Sequence, residues 1–330
     1  MIEKKVLNSI KIKEILKENY NIEVDKIKLI TKGSAEIYKI SSRKDYILKL
    51  YQTKYSKKEI DKEIDVINYL KRKKFIVPKY IKTLNNEYSV KIGNRYMILQ
   101  EYISGKSKEK FMATKNEIKE CGYIHGLLVK NLMNYSVEEV EEGNWYDFDK
   151  NIQKLNEIIK MGDNELVIND LNEKIDIMKN LKIDLSDIDK ISYHVSHGDY
   201  SYLQFIYGEK KVKAIIDFIR VKKLPIVWEI MRSYSYMDKE CKDGNINIDN
   251  LVLYVKEFMK SVPLNKYDLK YMPYVYMCQL LRSTYGYKEI YKKDNNDILE
   301  FAHFRTKLCK NIYENCEEIS RKLGELIWKM

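Results

Sequence analysis

The chain has 330 residues, of which 45% are hydrophobic and 33% charged, and its formal net charge is +11 at pH 7. That length predicts two domains rather than one, and the apolar share is enough for a sizeable core. The lysines are dispersed among Asp and Glu instead of forming a basic stripe interleaved with aromatics, so nucleic acid is not an expected partner. No apolar run approaches the ~18–20 residues of a membrane span. Five cysteines, with no CxxC pair, follow an N-terminus too charged for a signal peptide. Reduced thiols and a cytoplasmic location are therefore expected.

In chain order, residues 10–18 (IKIKEILKE) have the spacing of a short amphipathic helix. Strand-like runs follow at 25–31, 36–41 and 45–51. Between the first two, Lys32-Gly33-Ser34-Ala35 is a small-residue turn whose amides could approach phosphates. An ordinary hairpin turn is the plain alternative. Lys49 lies in the alternating run Tyr46-Ile47-Leu48-Lys49-Leu50, and taken alone it reads as a lysine on the wet face of a strand. A helix is predicted over 56–73, with Ile60, Ile64, Ile67 and Leu70 as its buried stripe. That helix carries two acids one turn apart, Glu59 and Glu63. Two further strands flank turns at Asn85-Asn86 and Gly93-Asn94. The second, 95–102, runs into Ile103-Ser104-Gly105, where the boundary between domains 1–104 and 105–330 is placed.

Beyond residue 107 the pattern turns helical, at 115–133, 147–161, 169–181, after Trp228, and at 250–261, 272–285 and 296–328. His125 reads as a packed core histidine. Trp145 and Tyr146, beside Asp147, read as core residues before pocket residues.

The chemistry concentrates in residues 193–218, YHVSHGDYSYLQFIYGEKKVKAIIDF. A short strand at 193–196 leads to a loop carrying Asp199. Gly208-Glu209-Lys210 reads as a hairpin turn, and the apolar run Val212, Ala214, Ile215, Ile216 ends at Asp217. A hairpin folds its ends together, which would bring Gln204 and Asp217 within reach of one ion, with Asp199 facing them. Oxygen ligands for Mg2+ and a separate carboxylate near an attacking hydroxyl are what phosphoryl transfer requires. His194 and His197 have HxxH spacing, but no further His or Cys completes a zinc set.

His197-Gly198-Asp199, four residues, Gln204 and then Ile215-Ile216-Asp217-Phe218 resemble the signature of the aminoglycoside phosphotransferase and choline kinase superfamily. Pro225-Ile226-Val227-Trp228-Glu229 is similar to that family's segment opening the next helix. The resemblance implies an α+β, two-lobed protein-kinase-like fold with an N-terminal antiparallel sheet plus helix, five strands in all, and a mostly helical C-terminal lobe. It implies ATP, or GTP, bound between the lobes with Mg2+. Gly33 and Ser34 would cover the phosphates, Lys49 would position them, and Glu63 would orient Lys49. Glu101, Tyr102 and Ile103 would form the adenine-binding hinge. Gln204 and Asp217 would hold the metal, and Asp199 would be catalytic. One departure is Gln204, where the family has Asn; the amide oxygen is kept on a longer arm. The implied partner is a small molecule bearing a hydroxyl. The composition also looks similar to spore-coat CotS-type members, so a catalytically degenerate scaffold or coat protein is the second reading. A protein kinase is disfavoured, because the glycine-rich loop and the APE segment are missing.

Overall fold

The computed structural model describes residues 7–32, 35–140, 146–209, 211–291 and 296–327. The chain forms two compact units, Met1–Ser107 with Gln204–Val221 and Lys108–Leu203 with Lys222–Met330.

The first unit opens with α1 (Ser9–Tyr20), where the Asn8 side chain accepts the Lys11 N–H at 2.8 Å. An N-cap of this type satisfies one of the amides that the first helical turn leaves open. The strands β1 (Lys26–Lys32), β2 (Ala35–Ser41) and β3 (Tyr46–Tyr51) follow, then α2 (Lys57–Arg72), β4 (Tyr80–Ile81), β5 (Ser89–Ile92) and β6 (Arg95–Glu101). They make one antiparallel sheet in the order β1-β2-β3-β6-β4, with β5 paired to the other half of the same β6 edge. The sheet has six strands, not the expected five. The extra one is β4, whose two residues are too short to show an alternating pattern. Alternation then decides where Lys49 goes. Leu48 and Leu50 pack with Ile12, Ile15 and Leu16 of α1, so Lys49 must point to the opposite face of the sheet.

After β7 (Lys106–Ser107) the chain enters the second unit with α3 (Lys115–Leu132), α4 (Phe148–Ile159), α5 (Glu165–Asn180) and β8 (Tyr193–Ser196). It returns to the first unit for the hairpin β9 (Phe205–Tyr207) and β10 (Val212–Ile215), which joins β7 in a three-stranded sheet. The remainder is β11 (Lys222–Pro225), α6 (Ile226–Ser235), α7 (Ile248–Met259), α8 (Lys266–Arg282), α9 (Tyr287–Ile290) and α10 (Asn296–Gly324). An antiparallel sheet with its helix in one unit and a largely helical second unit make this the α+β, kinase-like two-lobed architecture.

Two details of the second unit position its polar residues. Helix α3 lies against α7 through Gly122 and Gly126, where an added Cβ would fall 2.4 Å from the carbonyl oxygens of Tyr254 and Phe258. Only glycine permits that approach, and it carries His125 onto Tyr254. Pairing of β8 with β11, Ser196 opposite Lys222, fixes the strand from which the loop bearing Asp199 departs. Among the described residues no helix is long and apolar enough to cross a membrane. All five cysteines are free and buried.

Candidate active site

In the first unit, β3, α2 and the end of the hairpin converge on one ammonium group. Helix α2 starts from a capping box in which Glu59 accepts the Ser56 N–H at 2.7 Å and the Ser56 hydroxyl at 2.8 Å. One turn on, Glu63 is fully buried and accepts Lys49 Nζ at 3.0 and 3.2 Å. The two acids thus divide the work, Glu59 on the cap and Glu63 on the lysine. Lys49 Nζ also reaches Asp217 Oδ1 at 2.7 Å. Burial alone pushes the Lys49 ammonium towards its neutral form. The carboxylates of Glu63 and Asp217 outweigh that and hold its pKa above the ordinary lysine range. Two residues not singled out in the sequence complete the cluster. Tyr51 OH and Tyr80 OH donate to Glu63 at 2.7 and 3.0 Å. Burial first, and then the charge of Glu63, raises both phenols, so they remain donors. Tyr51 could have been read from its spacing, because it lies two residues beyond Lys49 and so shares its face.

Asp217 sits just past β10 with φ 68° and ψ 57°, a left-handed conformation. Asp adopts this more readily than most side chains, at a cost of about 1–2 kcal/mol. The Ile216 N–H donates to the Gln204 carbonyl at 3.0 Å, and Phe205 pairs with Ile215. Gln204 and Asp217 therefore leave the same end of the hairpin, which is fastened by the Ile215 N–H to Ile76 O at 2.8 Å. A carboxylate and an amide oxygen are hard donors that fit Mg2+. No cluster of three or more His, Cys, Asp or Glu suited to a metal occurs among the described residues. Phosphate and water oxygens would have to supply the remaining ligands, as is usual for this ion.

At the end of β6, Glu101 accepts the Lys79 N–H at 2.8 Å and Lys71 Nζ at 3.2 Å. The Tyr102 N–H donates to Asp45 O at 3.3 Å, and its ring lies under Lys39 Nζ at 3.9 Å. The Ile103 N–H has no hydrogen-bond partner among the described residues. Gly33 and Ser34 lie outside the described residues, as does Trp145.

In the second unit, Asp199 follows β8 by way of Gly198 at φ +76°. Its Oδ1 accepts a hydrogen bond from Arg232 Nη2, and Arg232 Nη1 donates to Tyr200 O at 3.4 Å. Arg232 went unread in the sequence, although it follows Glu229 by three residues and so shares a face of α6. Glu229 holds the other side of the loop. Its Oε1 accepts the Tyr200 N–H at 3.2 Å, and its Oε2 lies 3.2 Å from His125 Nε2. His125 is a fully buried core histidine, stacked on Tyr200 with ring centroids 4.0 Å apart and 3.0 Å from Tyr254 OH. His197 is also buried, edge-on to Tyr200 at 6.1 Å.

Burial alone would push Glu229 up, but the hydrogen bond from His125, the neighbouring imidazoles and Ser196 bring it down to about 2. Burial favours the neutral form of His125; as an N–H donor it still favours the carboxylate. A carboxylate lowered on folding contributes stability above its unfolded pKa, and loses it as pH falls towards the folded value. Between pH 5 and 2.5 the wild type should therefore lose about 2 kcal/mol more than Glu229→Gln in urea unfolding. Parallel curves for the two proteins would refute this role for Glu229.

This is the fold of the aminoglycoside phosphotransferases and related small-molecule kinases. A spectinomycin phosphotransferase, APH(9)-Ia, in complex with ADP and spectinomycin, is 16% identical, covers 95% of this chain and 100% of its own, and has a TM-score of 0.63. The amicoumacin kinase hAmiN, in complex with AMP-PNP, Ca2+ and Ami, is 15% identical over 94% of each chain, with a TM-score of 0.65. An ethanolamine kinase from Plasmodium vivax is 13% identical over 93% of this chain and 89% of its own, with a TM-score of 0.56. No family model matches the chain, and no curated protein matches it in sequence.

Proposed function

We propose that this chain is an ATP-dependent O-phosphotransferase that moves the γ-phosphoryl group onto a hydroxyl of a small molecule. The observation that carries the reading is the buried Lys49, held at once by Glu63 from α2 and Asp217 from the hairpin. A buried ammonium fixed by two carboxylates and a phenol-braced partner is suited to holding polyphosphate. Residues 1–104 would be the nucleotide-binding lobe and 105–330 the lobe carrying the catalytic loop and acceptor site. The Ile103 N–H and the Glu101–Tyr102 backbone would take the adenine, and Gly33 and Ser34 would cover the phosphates. GTP is the alternative nucleotide.

Mg2+ held by the Asp217 carboxylate and the Gln204 amide oxygen would neutralise phosphate charge. Lys49 orients the phosphates. Asp199 takes up the proton of the acceptor hydroxyl as the new oxygen–phosphorus bond forms and ADP departs. The rate comes from positioning and charge neutralisation, with no covalent enzyme intermediate. The buried thiols, none of them in a disulfide, agree with a cytoplasmic location.

Melting the protein with ATP, with and without Mg2+, is the direct test. A Mg2+-dependent rise with ATP is expected. No shift under either condition would favour the second reading, a degenerate scaffold or coat protein, to which the longer amide at Gln204 points. Asp199→Asn should lower kcat by about a hundredfold to a thousandfold while keeping the ATP shift. Unchanged turnover would remove Asp199 from the mechanism.

A further inference from the structure

Three cations of the second unit gather on two aromatic rings, and one of them, Arg232, is the partner of Asp199. Lys110 Nζ lies 5.2 Å from the ring centroid of Tyr236 and 4.3 Å from that of Phe301. Arg232, the partner of Asp199, is centred 5.1 Å from the same Tyr236 ring. Arg305 is centred 5.8 Å from Phe301. Those two rings are themselves 5.9 Å apart. One pair of neighbouring rings therefore carries three positive charges, and Asp199 is paired to only one of them.

Neither of the other two forms an ion pair with a described residue. Lys110 makes no hydrogen bond or ion pair with any described residue. Arg305 is 7% exposed; it gives Nη1 to Ser283 Oγ at 2.7 Å and Nη2 to Gln279 Oε1 at 3.4 Å. Its Nε is buried with no partner among the described residues. Burial, and then the Arg232 guanidinium, pushes the Lys110 ammonium down, and the attraction of Asp199 offsets only part of this.

The arrangement is held against strain. Phe111, next to Lys110, has φ +61°, a left-handed conformation that a bulky side chain rarely adopts. The Phe111 N–H to Tyr236 O at 3.1 Å and the Ala113 N–H to Met237 O at 3.0 Å keep it there. Ser283 and Gln279 also line a cavity of about 850 Å3, where, among the described residues, Lys150, Lys154, Arg282 and Lys288 face one carboxylate, Asp147.

Largely buried cations without an ion-pair partner suit a carboxylate or phosphate, and aromatic walls suit an apolar or planar body. We infer that the acceptor is a hydroxyl compound bearing a carboxylate or a phosphate, with Lys110 and Arg305 holding the anionic group and Asp199 receiving the hydroxyl. This substrate class rests on the phosphotransferase reading.

Calorimetric titration of the full chain without nucleotide tests it, using compounds that differ in charge on one body. Phenyllactate is compared with the neutral 3-phenylpropane-1,2-diol and the cationic phenylalaninol, and glycerol 3-phosphate with glycerol. At least one anion should bind about tenfold or more tighter than its uncharged counterpart, and Lys110→Gln should remove about that factor. The two anions separate carboxylate from phosphate. Arg305→Lys serves as a second variant should Lys110→Gln not fold, and it should weaken the same anion. The inference is overturned if the diol or the amine binds as tightly as the acid, if neither anion binds at millimolar concentration, or if the folded variants bind like wild type. The ATP melting experiment is separate. A missing ATP shift removes the phosphotransferase reading and leaves the charge order intact, whereas a wrong charge order leaves the ATP shift intact.

Discussion

Asp217→Asn is expected to lower kcat by about a thousandfold to ten-thousandfold while the chain stays folded. Asparagine keeps the size of the side chain and is among the few residues that tolerate a left-handed backbone, so the geometry at φ 68° survives. What disappears is the charge. The hairpin end is left with two amide oxygens, at 204 and 217, in place of an amide and a carboxylate. Lys49 loses the nearer of its two anionic partners but keeps Glu63 at 3.0 Å. Asp217→Ala would add backbone strain to the loss of charge, and is the less clean variant for that reason. ADP release and the thermal midpoint, measured on the same preparation, check the prediction. A folded Asp217→Asn protein with more than about a tenth of wild-type turnover would show that the reaction does not depend on this carboxylate.

How much of this could be read beforehand follows the range of the signal. Helix α2 is legible because Ile60, Ile64, Ile67 and Leu70 repeat at helical spacing and Ser56 with Glu59 forms a local cap. Asp199, Gln204 and Asp217 are legible because loop, hairpin and apolar run lie within 26 consecutive residues. Helix α8 shows the opposite. The apolar period places it at 272–285, yet it begins at Lys266 behind the capping pair Asn265 and Asp268, with Pro273 inside it. A proline reads most easily as a helix start, and that signal overrode the weaker cap. Helix α5 likewise starts at Glu165, behind Asn164, ahead of the expected 169. What the sequence could not carry is contact between distant segments. The hairpin belongs with the first unit because Ile215 reaches Ile76 and β9 pairs with β7. Tyr80 reaches Glu63 across a strand too short for any periodicity, and Lys110 meets Phe301 across most of the second unit.

Glu63→Ala should cost about 3–5 kcal/mol of stability, the largest loss expected from any single change at the cluster. Glu63 is fully buried and takes four hydrogen bonds, two from Lys49 and one each from Tyr51 and Tyr80. Removing it strands two buried phenols and leaves a buried ammonium with Asp217 alone. Tyr51→Phe or Tyr80→Phe removes one donor to a charged group and should cost about 1.5–3 kcal/mol. Stability alone does not separate a structural brace from a catalytic one, but the double variant does. Lys49→Met with Glu63→Leu replaces the buried ion pair by apolar volume and should recover much of the stability lost in Glu63→Ala. Turnover should stay as low as in the single variant, because no cation remains to meet the phosphates. Urea unfolding and ADP release on the three proteins decide between the two roles. If the double variant regains turnover along with stability, Lys49 and Glu63 serve the fold and the phosphates are held elsewhere.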